Sequence, residues 1–226
     1  KDRPKPKGET IKLRIKLTLG EVYSGVTKKV KVAVLDPCGD CSGNGTAEGS
    51  GPVSCPKCGG SGEERQSQRT MFGQFVNIGV CSNCRGQGLV IIDPCSSCRG
   101  DGRKRIQKHV EVEVPPGVTS ENFITLRGKG NVGSQNGPRG DIAVLLEVKE
   151  DERFIRDGED LYFELPITFS QATLGAEVEI PTILESMRLT IPAGTQSGEM
   201  IRLKGEGLPQ LQGPGQGDQL VRIVVW

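Results

Sequence analysis

Apolar residues alternate with polar ones over several short stretches of this chain. Ile11, Leu13, Ile15 and Leu17 form one run, and Val30, Val32 and Val34 a second. Val110, Val112 and Val114 form a third, and Ile142, Val144 and Leu146 a fourth. A period of two places each set on one face of a strand and predicts half-buried β-sheet. Helix is predicted at two short places. Thr18-x-x-Glu21 and Thr168-x-x-Gln171 have capping-box spacing, and Gly25 and Gly175 follow where a left-handed residue closes a helix. Proline and glycine punctuate the rest as turns.

The pattern occurs twice. Pro115, Gly117, Ser120, Leu126, Gly128, Gly130, Gly140 and Asp141 recur at a constant offset of 77, ending at Gly217 and Asp218. Gly8, Glu9, Thr18 and Gly25 recur at an offset of 150, and Ile11, Leu13, Ile15 and Leu17 align with Leu161, Phe163, Leu165 and Ile167. The two offsets differ by 73, which is extra chain in the first copy. The expected fold is all-β: two duplicated small β-sandwich-like domains with short helices, the first interrupted by an insertion. The first domain is assigned to 1–37 and 103–154, the insertion to 38–102 and the second domain to 155–226.

The insertion carries the chemistry. Cys-x-x-Cys-x-Gly-x-Gly occurs four times, at Cys38–Gly45, Cys55–Gly62, Cys81–Gly88 and Cys95–Gly102, and uses all eight cysteines. One thiolate pair holds one edge of a tetrahedral Zn²⁺, and two pairs close a structural site, so four pairs predict two zinc ions. Disulfides are the first competing use, with 105 pairings open to eight cysteines. Four identical spacers, each followed by the same glycines, match a metal knuckle better. A dithiol oxidoreductase is the second, but such a motif opens a helix in a βαβ unit, and none is predicted here. A closed four-cysteine site also leaves no open position for substrate. Spacing alone permits sequential or nested pairing of the knuckles. In the second copy the strands near Val178–Ile183 and Met187–Ile191 are joined by Leu-Glu-Ser, which implies a hairpin. The matching strands of the first copy then bring the first and fourth knuckles together. Nested sites follow: Cys38, Cys41, Cys95 and Cys98 for one zinc, and Cys55, Cys58, Cys81 and Cys84 for the other.

Composition narrows the picture further. Aromatic residues are 4% of the chain, so the core must be aliphatic. Of 32 glycines, 14 lie between Cys38 and Gly102, a stretch too poor in apolar residues to fold without metal. The net charge of +1 gives no global pull toward nucleic acid or anionic membrane. The insertion has five Lys/Arg and six Asp/Glu, a net of −1, and two Zn²⁺ on eight thiolates contribute a further −4. Phosphate contact needs the opposite sign. No apolar run approaches the roughly 20 residues that span a bilayer, and no signal peptide is visible in a chain that starts at Lys1. A soluble, non-enzymatic protein without nucleic-acid or membrane partners is expected. The run Met71–Val76 reads equally as an exposed contact surface or as packing against the nearby zinc site. His109, the one histidine, lies in a strand pattern and is assigned no chemistry.

These features resemble the class A type of the DnaJ co-chaperone family across nearly the whole chain. The resemblance rests on the four knuckles, Pro115-Pro116-Gly117, Leu126-Arg127-Gly128-Lys129-Gly130, Gly140-Asp141, Phe154-x-Arg156-x-Gly158 and Gly217-Asp218-Gln219-Leu220. It implies nested zinc pairing and a client-binding region that holds unfolded, hydrophobic polypeptides by strand addition for delivery to a DnaK-type chaperone. It places an apolar client pocket between the two sheets of the first copy, at Ile11, Val30, Val32, Val110 and Val144, with Leu13 beside them. From alternation alone the same residues read as plain core. It further implies a role in the stress response and a cytoplasmic or otherwise reducing compartment. The family's J domain, with its His-Pro-Asp loop, and its C-terminal dimerisation segment are not in this sequence. A monomeric piece of a homodimeric protein is therefore expected, without stimulation of the partner's ATPase. The alternative function is a thiol–disulfide oxidoreductase acting through the Cys-x-x-Cys pairs.

Overall fold

The computed structural model describes residues 5–48, 50–70 and 73–226, with side chains outside 66–76. The fold is mostly β, with 44% strand and 7% helix. In chain order the first copy forms β1 (Ile11–Leu17), α1 (Leu19–Ser24) and β2 (Val26–Pro37). The insertion contributes β3 (Val53–Ser54), β4 (Glu63–Thr70), β5 (Gly73–Val80) and β6 (Leu89–Val90). The first copy resumes with β7 (Arg103–Val114), β8 (Phe123–Leu126) and β9 (Ile142–Val148). The second copy comprises β10 (Ile155–Asp157), β11 (Asp160–Ile167), α2 (Phe169–Leu174), β12 (Ala176–Pro181), β13 (Ser186–Ile191), β14 (Met200–Leu203) and β15 (Gln219–Val225).

Each copy builds one larger sheet and one two-stranded pair from corresponding strands, and the second copy adds β10 at an edge. The first has the order β1-β9-β8 and a separate pair β2-β7. The second has β10-β11-β15-β14 and the pair β12-β13. β11 and β15 run parallel, from Leu161 opposite Gln219 to Ile167 opposite Val225, and β14 joins β15 antiparallel. The turn bonds recur as well. The Gly128 N–H donates to Asp141 Oδ1 and the Gly205 N–H to Asp218 Oδ1, both at 2.8 Å. The repeated Gly-Asp pair is thus a loop clamp, in which the carboxylate satisfies a backbone donor 13 residues away.

The chain divides into two compact units. One comprises the N-terminal stretch ending at Ile11, Val32–Lys108 and Arg127–Ile142; the other comprises Lys12–Lys31, His109–Leu126 and Ala143–Trp226. In the second unit Leu165 and Ile167 of β11, Ile180 of β12, Leu189 and Ile191 of β13, Val221 and Ile223 of β15 and Ala172 of α2 form one buried cluster. Alternation puts every second residue of four strands into it, which is why the core needs few aromatic rings. Phe154 is the buried aromatic at its side of the copy, tilted against Phe163 with ring centroids 5.8 Å apart.

Both helices carry complete capping boxes, Thr18 with Glu21 and Thr168 with Gln171. Their closing glycines differ from the left-handed helical expectation. Gly25 has φ 72° and ψ 159°, and Gly175 has φ 80° and ψ 157°. This region is open to glycine alone among the common residues, and it sends the chain straight into β2 and β12 with no intervening turn.

In the first unit the loop before β9 grips the root of the insertion. Asn131 Oδ1 accepts from the Leu35 N–H at 2.8 Å, and the Val132 N–H returns a bond to the Leu35 carbonyl at 2.9 Å. Arg103 donates to the Val132 carbonyl at 3.2 Å, Arg139 pairs with Asp36, and Asn136 Nδ2 donates to the Ser42 carbonyl at 2.9 Å. At the corresponding positions the second copy has Leu208 for Asn131, Gly213 for Asn136 and Gln216 for Arg139. The copy that carries the insertion is the copy whose loop has the polar side chains to hold it.

Candidate metal centres

Four short segments position the eight thiols. Each begins at the first cysteine of a knuckle, turns through the two intervening residues and doubles back over the second sulfur. The residue after the second cysteine is left-handed in every copy: Ser42 (φ 50°), Gly59 (φ 59°), Arg85 (φ 50°) and Arg99 (φ 52°). The two glycines that follow keep φ positive, so the last glycine N–H points at sulfur. Gly45 donates to Cys41 Sγ, Gly62 to Cys58, Gly88 to Cys84 and Gly102 to Cys98, all at 3.2 Å.

The knuckles pair reciprocally. The Cys38 N–H donates to the Gly102 carbonyl at 2.8 Å and the Cys95 N–H to the Gly45 carbonyl at 2.9 Å. The Cys55 N–H donates to Gly88 at 2.8 Å and the Cys81 N–H to Gly62 at 2.9 Å. A Cβ on Gly45 would overlap the Gly100 carbonyl oxygen, one on Gly88 that of Gly60, and one on Gly102 that of Gly43. The last glycine of the motif therefore serves twice, in its own turn and in the fit against the partner knuckle.

This pairing gathers the thiols into two groups: Cys38, Cys41, Cys95 and Cys98, and Cys55, Cys58, Cys81 and Cys84. Within each group the sulfurs lie within 4.8 Å of one another. Cys41 and Cys98 are 3.7 Å apart, Cys55 and Cys81 3.9 Å, and Cys58 and Cys84 3.7 Å. A tetrahedron of sulfurs about 2.3 Å from a central Zn²⁺ has edges of about 3.8 Å, so the spacing fits that ion. The arrangement is the nested one. It is also closed: in each group four sulfurs can fill all four positions of a tetrahedral ion, and six of the eight thiols are buried, with Cys58 and Cys98 half-buried.

The electrostatics suit a bound cation. Burial raises the Cys41 thiol, but the Gly45 N–H and the neighbouring Cys98 and Cys38 sulfurs outweigh it and bring it to about 7. Burial and the Cys41 sulfur raise Cys98 to about 11 against the pull of the Gly102 N–H. Four crowded thiols cannot all ionise without a cation among them. At the other group, burial of Cys55 is outweighed by the Asn83 side-chain amide and the Cys58 and Lys57 N–H groups, giving about 6. Asn83 Nδ2 lies 3.3 Å from Cys55 Sγ. The motif spacing does not mark Asn83, which occupies one of its variable positions.

The residues expected to line a client pocket fall into two sets. Ile11, Leu13 and Val30 are half-buried. Val32, Val110 and Val144 are buried, with exposures of 5%, 9% and 0%. Among the described residues β1 and β2 each lie at the end of their sheet order, with one edge unpaired there. His109 is exposed on β7. The run Met71–Val76 lies outside the residues with described side chains.

Residues 11–226 match the sequence profile described as the DnaJ C terminal domain. Curated relatives named "Chaperone protein DnaJ" are similar along nearly the whole chain. That of Chlorobium luteolum is 45% identical over 97% of this chain and 57% of its own length. That of Chlorobium limicola is 44% identical, covering 97% and 54%, and that of Acetivibrio thermocellus 42%, covering 96% and 56%. The chain thus spans about half the length of the curated relatives it matches. On the profile match, which takes in the metal-site cysteines and both sandwich copies, the chain belongs to the DnaJ C-terminal domain family.

Proposed function

We propose that this chain is the client-holding, zinc-binding part of a DnaJ-type chaperone, acting without catalysis of its own. The observation that carries the reading is the similarity to chaperones of that name over 96–97% of the chain. Unfolded polypeptide adds as a strand at an open edge of the first copy. Main-chain hydrogen bonds tolerate any sequence, and the half-buried Ile11, Leu13 and Val30 take one large apolar side chain. Val32, Val110 and Val144, which the resemblance assigns to the same pocket, are buried. The client then passes to a DnaK-type partner. Each four-cysteine group holds one Zn²⁺, whose contribution is to order a glycine-rich arm, and the arm contacts client or partner.

Val32 is too buried for a polar substitution there to separate client binding from folding. The informative variant is Leu13→Ser with Val30→Ser, which removes two half-buried aliphatic surfaces. Suppression of aggregation of a denatured client should fall several-fold, with two zinc ions per chain and an unchanged melting transition. Full suppression by this folded variant would remove the assignment of Leu13 and Val30.

A further inference from the structure

The cysteine arm carries a groove of about 880 Å³ lined from the first, third and fourth knuckles. Its floor includes Leu89 and Ile91, 40% and 36% exposed, and its rim carries Lys5, Arg85 and Arg99. The one acidic residue of the lining, Asp101, is already paired with Arg103 at 2.9 Å. Among the described residues none of the three rim cations has an ion-pair partner. The arm as a whole is net negative, five Lys/Arg against six Asp/Glu, so this cationic rim is a local exception.

Backbone conformation supplies a second, independent observation. Arg85 and Arg99 stand at the left-handed position that follows the second cysteine of their knuckles. At the same position the second knuckle has Gly59, for which that conformation is free of strain. A side chain there costs about 1 kcal/mol relative to glycine. Arginine stands at the strained position in two knuckles, and both arginines line the one groove.

We propose that this groove docks an extended acidic segment of a partner polypeptide. An aliphatic side chain of that segment covers Leu89 and Ile91, and its carboxylates pair with Arg85, Arg99 and Lys5. Arginine suits the task because its planar fork meets a carboxylate with two parallel hydrogen bonds. Nucleic acid fits less well: the lining has no aromatic side chain on which a base would stack. The proposal goes beyond the client reading and uses none of the residues assigned to the client edge.

The test uses the metal-loaded chain and a fluorescent peptide of Asp and Glu with interspersed Leu. Its Asn/Gln counterpart and a single-stranded oligothymidylate serve as alternative probes. Arg85→Gly with Arg99→Gly removes both cations while suiting the backbone, and Arg85→Lys with Arg99→Lys retains the charge. The acidic peptide should bind the unmodified chain, and bind the double glycine variant at least about tenfold more weakly. The lysine variant should recover part of the loss, and affinity should fall between about 50 and about 300 mM salt. Client aggregation should be suppressed equally by all three proteins. Equal affinity in the glycine variant, equal binding of the uncharged peptide or tighter binding of the oligonucleotide would each overturn the proposal. So would a parallel loss of client holding, which would deny the groove a partner of its own.

Discussion

Glu21 and Gln171 fill the same place in two copies of one motif, and only one of them can titrate. Each closes a capping box by accepting from the N–H of its threonine at 2.9 Å. Glu21 is also paired with Lys28 at 2.8 Å. The Lys28 hydrogen bond holds the Glu21 carboxyl below its usual value of 4.5; partial burial opposes it, and the bonds from Thr18 reinforce it. A carboxylate whose folded value is depressed stabilises the fold above its unfolded value and loses that contribution as pH falls through the folded one. The box around α1 should therefore weaken below about pH 4.5, while that around α2 should not. Because Glu21 is partly exposed, the effect is about 0.5 kcal/mol. Amide exchange at Val22 and Ala172 from pH 6 to pH 3, corrected for intrinsic rates, reads both helices at once. Glu21→Gln should make α1 behave like α2; an acid-dependent loss equal in both helices would refute the assignment. At this scale the sequence is informative where a side chain bonds locally, as Thr-x-x-Glu does. It is less so where tertiary context sets the backbone. The ψ of Gly25 is chosen by the strand that follows it, and nothing in the residue itself distinguishes that from a left-handed helical close.

The knuckle is the smallest element with a recognisable signature, and its repeat explains both what was legible and what was not. Cysteine spacing predicts the turn, and the short second-copy hairpin between β12 and β13, with Pro181 opposite Ser186, predicts the nested partners. The reciprocal Cys N–H to Gly carbonyl bonds are absent from any residue-level pattern because they arise when two knuckles meet, and the left-handed Ser42, Arg85 and Arg99 are set by the turn over the second sulfur and not by residue type. The hairpin β4–β5, paired from Glu63 opposite Val80 to Thr70 opposite Gly73, was also not visible. Its first strand, Glu-Glu-Arg-Gln-Ser-Gln-Arg-Thr, is polar at every position and so has no alternation to detect. The paired-knuckle geometry carries its own prediction. Gly102 has φ 73°, and a Cβ there would overlap the Gly43 carbonyl oxygen. Gly102→Ala should cost about 1–3 kcal/mol at the cluster of Cys38, Cys41, Cys95 and Cys98. It should speed transfer of one of the two metals to a coloured chelator. Gly51→Ala, with open space around its Cβ, is the matched control and should change nothing. Identical release kinetics in the two variants would show that the last glycine of the motif is dispensable.

For the whole molecule, the duplication offsets predict the repeat of strands that the structure has, β1, β9 and β8 matching β11, β15 and β14. They also imply that two kinds of stabilisation coexist in one chain. The second copy is held by aliphatic burial around Leu165, Ile167, Ile180, Ile191, Val221 and Ile223. Among its described residues the arm has no comparable core. The buried cluster at its root is Cys38, Cys41 and Cys95 with Cys98 beside them, and the second is Cys55, Cys81 and Cys84 with Cys58 and Val90. Structural zinc sites contribute about 10–16 kcal/mol in small peptides, and where the described residues bury so little apolar surface, that contribution is the folding energy. Stripping metal with a strong chelator under reducing conditions should therefore unfold the arm and spare the second copy. Hydrogen exchange should become fast from Cys38 to Gly102 and stay slow in β11, β13 and β15, with the second copy's thermal transition moving by no more than a few degrees. The root loop offers an internal check. Once the arm loosens, Asn131 and Asn136 lose the backbone partners they hold at Leu35 and Ser42, so protection should also fall at Leu35 and Val132. Zinc, added back in twofold molar excess, should restore both regions together. If the arm kept its protection without metal, or if β11 and β15 lost theirs with it, the division of labour between metal and aliphatic core would be wrong.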